Sequence, residues 1–219
     1  MSKNPLSNPV LLLASTLAGG ALFLGIWSWQ QWLQNTQGRS QPQALAATVL
    51  SEPRPLPDVS LVDQDGNTRA LRQLEMGWSL WFFGFTHCPD ICPNTLGLLA
   101  AIKQSMANDA AGRKIQTVFV SVDPQRDTPE KLRAYIDYFD KESVGLTGSR
   151  EAIDALTSSL YLPYVIHAPD EHGDYNVEHS GALVLVGPDN TARAYFTAPH
   201  KRADLIHDLR LLTGDSPDA

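Results

Sequence analysis

Cysteine is scarce, with two residues in a chain of 219. That number excludes a disulfide-dense scaffold and any four-cysteine zinc module. Cations are outnumbered: 17 Lys and Arg stand against 24 Asp and Glu, a net charge of -7. A nucleic-acid partner is therefore not expected, because little surplus cation remains to neutralise phosphates. No GxGxxG or GxxxxGKS loop occurs, so nucleotide chemistry has no phosphate cradle. There are three methionines, one of them Met1, too few for a Met-rich soft-metal segment. No internal repeat is visible. Hydrophobic residues at 43% and charged residues at 19% fit a globular chain rather than a disordered one.

Charge is absent from one long stretch. Val10 to Trp29 carries none, and as a helix it rises roughly 30 Å, about one hydrocarbon thickness. Trp27, Trp29 and Trp32 cluster at its C-terminal edge, where indoles favour a membrane–water interface. Residues 1–33 are expected to be an N-terminal membrane anchor with a transmembrane helix at about 10–29. Ala44-Leu45-Ala46 resembles a cleavage site but lies far beyond the run, which also exceeds a signal-peptide core, so an uncleaved anchor is expected. No cysteine near the run could accept a lipid, and no Arg- and Ser-rich leader precedes it. Lys3 before the run and Arg39 as the only cation soon after it favour the N-terminus inside. Residues 34–57, rich in Gln, Ala and Pro with Pro53, Pro55 and Pro57 alternating, are expected to be an extended linker. Beyond residue 54 there are 14 basic and 23 acidic residues, a net charge of -9, consistent with a solvated acidic exterior.

Residues 58–214 read as one α/β domain. Val59–Val62 and a stretch near Thr68 are short strands around the Asp65-Gly66 turn. Ser79–Phe85 and Ile115–Val122 read as buried strands, with helical spacing over Thr95–Ala107 between them. Thr128 is an N-cap, with Pro129 at the first helical position and Leu132, Tyr135, Ile136 and Phe139 on the inner face. A further helix spans Ser149 to about Leu160. Strands follow at Tyr164–His167, Ala182–Val186 and Arg193–Phe196, the last two joined by the Gly187-Pro188-Asp189-Asn190 turn. Ala203–Leu212 closes the chain as a helix, with Gly214 just past its end. These alternating units predict a mixed central sheet flanked by helices.

Both cysteines fall in Phe83-Gly84-Phe85-Thr86-His87-Cys88-Pro89-Asp90-Ile91-Cys92-Pro93, four positions apart between a buried strand and a helix. One helical turn lets the two sulfurs converge, and a helix N-terminus favours the thiolate. Three readings stay open: a structural pair, a thiol–disulfide exchanger, or a soft-metal site. Two thiolates suit Cu(I), and a neutral imidazole would complete a three-coordinate site able to hold Cu(II) as well. Six histidines compete for that role. His87 adjoins Cys88, His167 and His172 flank a polar turn, and His200 and His207 belong to the last helix. His179 differs in preceding an apolar strand.

The stretches FFGFTHCPDICP, SVDPQRDTPEKLRAY (121–135), VGLTGSREAID (144–154) and DYNVEHSGALVLVGPDN (174–190) resemble the Sco/SenC family over residues 55–213. These are membrane-anchored copper proteins of cytochrome oxidase assembly with a thioredoxin-like fold. The resemblance implies copper, as Cu(I) or Cu(II), held by Cys88, Cys92 and His179, with the same cysteines able to form a redox disulfide. It places Asp123 in a supporting position, where loop hydrogen bonding is an equal reading, and puts neither His87 nor Asp90 on the metal. It also implies a copper chaperone rather than an enzyme, acting on the copper-centre subunit of cytochrome c oxidase. A second copper chaperone or a thiol oxidoreductase would be further partners. The expected location is the bacterial inner membrane, single-pass, with the domain in the periplasm. A thiol–disulfide reductase using the Cys88–Cys92 pair, or a copper or redox sensor, is the alternative.

Overall fold

The computed structural model describes residues 22–31, 43–108 and 115–214, and all structural statements concern those residues. The chain divides into two compact units, Met1–Gln43 and Ala44–Ala219. In the first, residues 22–31 form a helix, α1, whose Leu22, Phe23, Leu24, Ile26, Trp27 and Trp29 are exposed. Residues 10–21 of the expected transmembrane span lie outside the described residues. Among the described residues no helix is long and apolar enough to cross a membrane.

The second unit runs β1 (Ala47–Pro55), β2 (Ser60–Asp63), β3 (Thr68–Ala70), β4 (Ser79–Gly84), α2 (Ile91–Met106), β5 (Gln116–Ser121), α3 (Pro129–Asp137) and β6 (Val144–Thr147). It continues with α4 (Arg150–Ser159), β7 (Tyr164–Ile166), β8 (Val177–His179), β9 (Leu183–Val186), β10 (Thr191–Phe196) and α5 (Arg202–Thr213). One sheet has the order β1-β10-β9-β4-β5-β6-β2-β3, and β7 pairs with β8 apart from it. β4, β5 and β6 are parallel, while β9 joins β4 antiparallel. The mixed sheet matches expectation.

β4 is buried throughout and apolar after Ser79 because both its faces are covered. Its side chains alternate with the period of two that a strand imposes. Leu80 and Phe82 pack with Phe119, Leu183 and Leu185 beneath α2, α3 and α5, which contribute Leu96, Leu99, Leu132, Ile136, Leu205 and Leu209. Trp81, Phe83 and Phe85 pack with Val118, Val120 and Val184 against Ile153 and Leu156 of α4. The chain ends of these helices follow local chemistry. Thr128 Oγ1 accepts from the Lys131 amide at 3.4 Å and Ser149 Oγ from that of Ala152 at 3.2 Å, while Gly214 adopts φ 81° after α5.

Two expectations need correction. The linker of 34–57 does not run free to its end: Ala47–Pro55 enters the sheet as edge strand β1, paired antiparallel with β10 from Ala47↔Phe196 to Pro55↔Thr191. Proline is tolerated there because an edge strand leaves one side unpaired, and the register slips between Val49 and Arg54. The compact unit accordingly starts at Ala44, not at residue 58. α2 begins at Ile91 rather than Thr95, so Cys92 sits inside its first turn.

Candidate metal centre

The site stands at the C-terminal end of β4, where the chain leaves the sheet and turns into α2. The Cys88 amide donates to the Phe85 carbonyl at 3.2 Å, closing the turn that precedes the helix. Asp127 holds this approach from the loop before α3. Its carboxylate is fully buried and accepts from the Thr86 amide at 2.9 Å, Thr86 Oγ1 at 2.6 Å and Ser121 Oγ at 2.6 Å. Three donors on one buried carboxylate tie Thr86 to β5 and hold the segment that leads into Cys88.

Cys88 is partly exposed and Cys92 is fully buried, both as free thiols. His179, the last residue of β8, brings Nε2 to 3.4 Å from Cys92 Sγ. The Cys88 and Cys92 sulfurs and one His179 ring nitrogen all lie within 4.8 Å of one another. His179 Nδ1 is 3.1 Å from the Ser180 carbonyl oxygen. A carbonyl only accepts, so Nδ1 carries the hydrogen and Nε2 presents its lone pair to the cysteines. Phe82 and Phe85 stand edge-on to the imidazole, with centroids at 6.0 and 5.8 Å. Burial pushes the His179 pKa below its ordinary value against the opposing Ser180 hydrogen bond, which keeps the ring a neutral ligand.

Electrostatics at Cys92 run opposite to the sequence expectation. Burial pushes its thiol well above the ordinary value, with further upward pressure from Cys88 and Asp127. Desolvation therefore outweighs the opposing hydrogen bond with the Phe85 backbone. A thiolate there needs a neighbouring cation, and a soft metal ion supplies one while displacing the proton.

Of the six histidines, His179 alone reaches the cysteines. His87 turns to Thr86 Oγ1 at 3.2 Å and lies 3.8 Å from Asp127. His167 pairs with Glu178 at 2.8 Å, His200 lies 2.8 Å from the Gly181 carbonyl, and His207 meets Asp208 at 2.9 Å. The His172 amide donates to Asp170 in a polar turn. Asp123 is not part of the Cys88, Cys92 and His179 group: it accepts from Arg126 Nε at 2.5 Å and from the Tyr175 hydroxyl at 2.7 Å, the loop role weighed above. The Asp90 carboxylate accepts from the Asn94 side-chain amide and makes no capping bond to the helix backbone.

Sequence reasoning singled out neither Asp127 nor Gly84. A Cβ on Gly84 would lie 2.5 Å from Cys92 Sγ and 3.0 Å from Phe119 Cε2. Gly84→Ala is therefore expected to drive the Cys92 sulfur out of its seat. The overpacking should cost about 1–3 kcal/mol, read by chemical denaturation. Metal affinity should fall in the same protein, and an unchanged affinity would mean that the sulfur has room to move.

A strand-to-helix CxxxC pair joined by a histidine from a neighbouring hairpin, on a mixed sheet with helices on both faces, defines a thioredoxin-like domain with a metal-binding donor set. The SCO1/SenC family model matches residues 52–214. The mitochondrial SCO2 homolog of Bos taurus is 32% identical over 201 residues, covering 91% of this chain and 73% of its own. The crystal structure of Arabidopsis thaliana ScoI with copper bound is 33% identical with a TM-score of 0.64, covering 74% of this chain and 96% of that one. Apo Sco1 from Thermus thermophilus is 30% identical with a TM-score of 0.67, covering 78% and 99%. The chain belongs to the SCO1/SenC family.

Proposed function

We propose that this protein is a membrane-anchored copper chaperone that binds one copper ion through Cys88, Cys92 and His179. It passes that ion to the binuclear copper centre of cytochrome c oxidase. The observation that carries the reading is the convergence of two sulfurs and a neutral imidazole within 4.8 Å. Two soft thiolates and one imidazole match the preferences of copper, and copper is bound in the related ScoI structure from Arabidopsis thaliana. The family resemblance supports the oxidase as acceptor.

Transfer proceeds by ligand exchange. Cys88 is the partly exposed sulfur, so an incoming thiolate reaches the metal on its side, while Cys92 and His179 hold from within. Copper loading and thiol redox state are linked. Oxidation to the disulfide releases two electrons and two protons to an external acceptor and removes both thiolate ligands. The uncharged run at Val10–Trp29 supports an inner-membrane anchor, and the charge balance around it supports a periplasmic domain.

The unequal exposure of the two sulfurs supports a second reading, a reductase in which Cys88 attacks and Cys92 resolves. Mixing the copper-loaded full chain in detergent with a copper-free oxidase copper-centre subunit separates the two. Chaperone action predicts that copper leaves this chain and the acceptor develops its binuclear copper spectrum. Reduction of an oxidised acceptor without copper transfer would instead assign the reductase.

A further inference from the structure

His179 is carried on β8, which pairs with β7 through Tyr164↔His179, Val165↔Glu178 and Ile166↔Val177. Among the described residues this hairpin shares no ladder with the main sheet. The backbone bonds that fix β4 and the cysteine turn therefore do not fix the histidine. Val177 is buried in the core, but apolar burial is non-directional and leaves the hairpin free to slide or roll.

A directional hold comes from the loop after β5, where three contacts converge on Tyr175, four positions before His179. The Tyr175 hydroxyl donates to Asp123 Oδ1 at 2.7 Å, and its carbonyl oxygen accepts from Arg126 Nη1 at 3.0 Å. Arg126 Cζ lies over its ring, 3.6 Å from the centroid. Asp123 is fully buried and accepts from Arg126 Nε at 2.5 Å, so the two clamping groups fix each other. The guanidinium also faces Phe85 at 5.6 Å, the ring that stands edge-on to His179.

The same loop holds the other half of the site. The amides of Arg126 and Asp127 close it on the Asp123 carbonyl at 3.2 and 3.0 Å. Asp127 then binds Thr86, and so the segment leading into Cys88. Core packing explains an aromatic residue at position 175. It does not explain why hydroxyl, carbonyl and ring each meet the one loop that also grips the cysteine segment.

We propose that Tyr175 is a positioning residue for the metal centre: gripped by Asp123 and Arg126, it sets the β7–β8 hairpin where His179 Nε2 meets the cysteine sulfurs. Tyr175 acts through His179. This inference rests on the copper reading above.

The test is a double-mutant cycle in the full chain in detergent. The parent, Tyr175→Ala, His179→Ala and the double variant are each titrated with Cu(I) against a chromophoric chelator. Tyr175→Ala is expected to weaken copper binding by about 10–100-fold, the size of losing a group that orients a ligand. In the His179→Ala background the same change is expected to alter affinity by less than about twofold, because no histidine remains to misplace. A merely structural role would lower both backgrounds alike. Equal losses in the two backgrounds, or no loss in either, overturn the inference and leave the copper reading intact. A parent that binds no copper, or no more tightly than His179→Ala, overturns the three-ligand reading and the inference with it. Tyr175→Phe keeps the ring on Arg126 and removes only the bond to Asp123. It enters the same cycle with a smaller expected loss if the alanine variant does not fold, and the same results then decide.

Discussion

His179→Ala is expected to weaken copper binding by more than about 100-fold while leaving the fold and both cysteines in place. Loss of a group that merely orients a ligand already costs roughly 10–100-fold in metal affinity, and His179 is proposed as the ligand itself. Its Nε2 lies 3.4 Å from Cys92 Sγ, with Nδ1 held by the Ser180 carbonyl so that the lone pair points inward. None of the other five histidines can replace it, because each is turned to a partner or turn elsewhere. The half-buried ring sits at the end of a short strand, so its removal should leave the main sheet intact. A competition titration against a chromophoric Cu(I) chelator checks the affinity. The variant should still form and reduce its Cys88–Cys92 disulfide, which separates metal binding from thiol exchange. A variant that binds as tightly as the parent would remove His179 from the centre.

Asp208→Ala is expected to lower stability by about 3 kcal/mol, the loss of several charge-assisted hydrogen bonds at a buried carboxylate. Asp208 is fully buried on α5 and accepts from the amides of Leu45, Ala46 and Ala47, each at 2.8 Å. It therefore pins the start of β1 to the domain. Burial alone would raise its pKa, but the hydrogen bonds from His207 and these three amides outweigh it and hold the carboxyl below its ordinary 3.8. The sign follows from linkage. A depressed carboxyl contributes stability in full above pH 3.8, and that contribution is lost as pH falls through the lower folded value. Denaturant melts of the parent should weaken across that acidic window, and the Asp208→Ala variant should show a smaller part of that loss. Equal midpoints at neutral pH would mean that the β1 entry is held by other contacts.

The elements with strong local signals were legible in the sequence. Thr128-Pro129, Ser149 and Gly214 mark helix ends by their own chemistry, and Ser79–Phe85 announces a strand covered on both faces. The proposed metal site was legible only in part. The Cys88/Cys92 spacing pointed to converging sulfurs, but the choice of His179 rested on the family resemblance, because its approach to Cys92 is a contact between residues far apart in the chain. β1 was missed for a related reason. Pro53 and Pro55 argue against a strand unless it lies at an edge, and nothing near residue 47 reveals that Asp208, more than 160 residues away, binds its amides. The expectation that the helix start favours a thiolate at Cys92 failed because burial of Cys92 is a property of the assembled core. Gly84 and Asp127 were hidden for the same cause: each acts through a contact that exists only once the strands β4 and β5 lie side by side.

The most direct measurement is a copper titration of the full chain in detergent, once with Cys88 and Cys92 reduced and once as the disulfide. One equivalent bound by the reduced protein and none by the oxidised protein is the predicted result, because the disulfide removes both thiolate ligands. Stoichiometric, tight binding by the disulfide form would contradict a centre built on Cys88, Cys92 and His179.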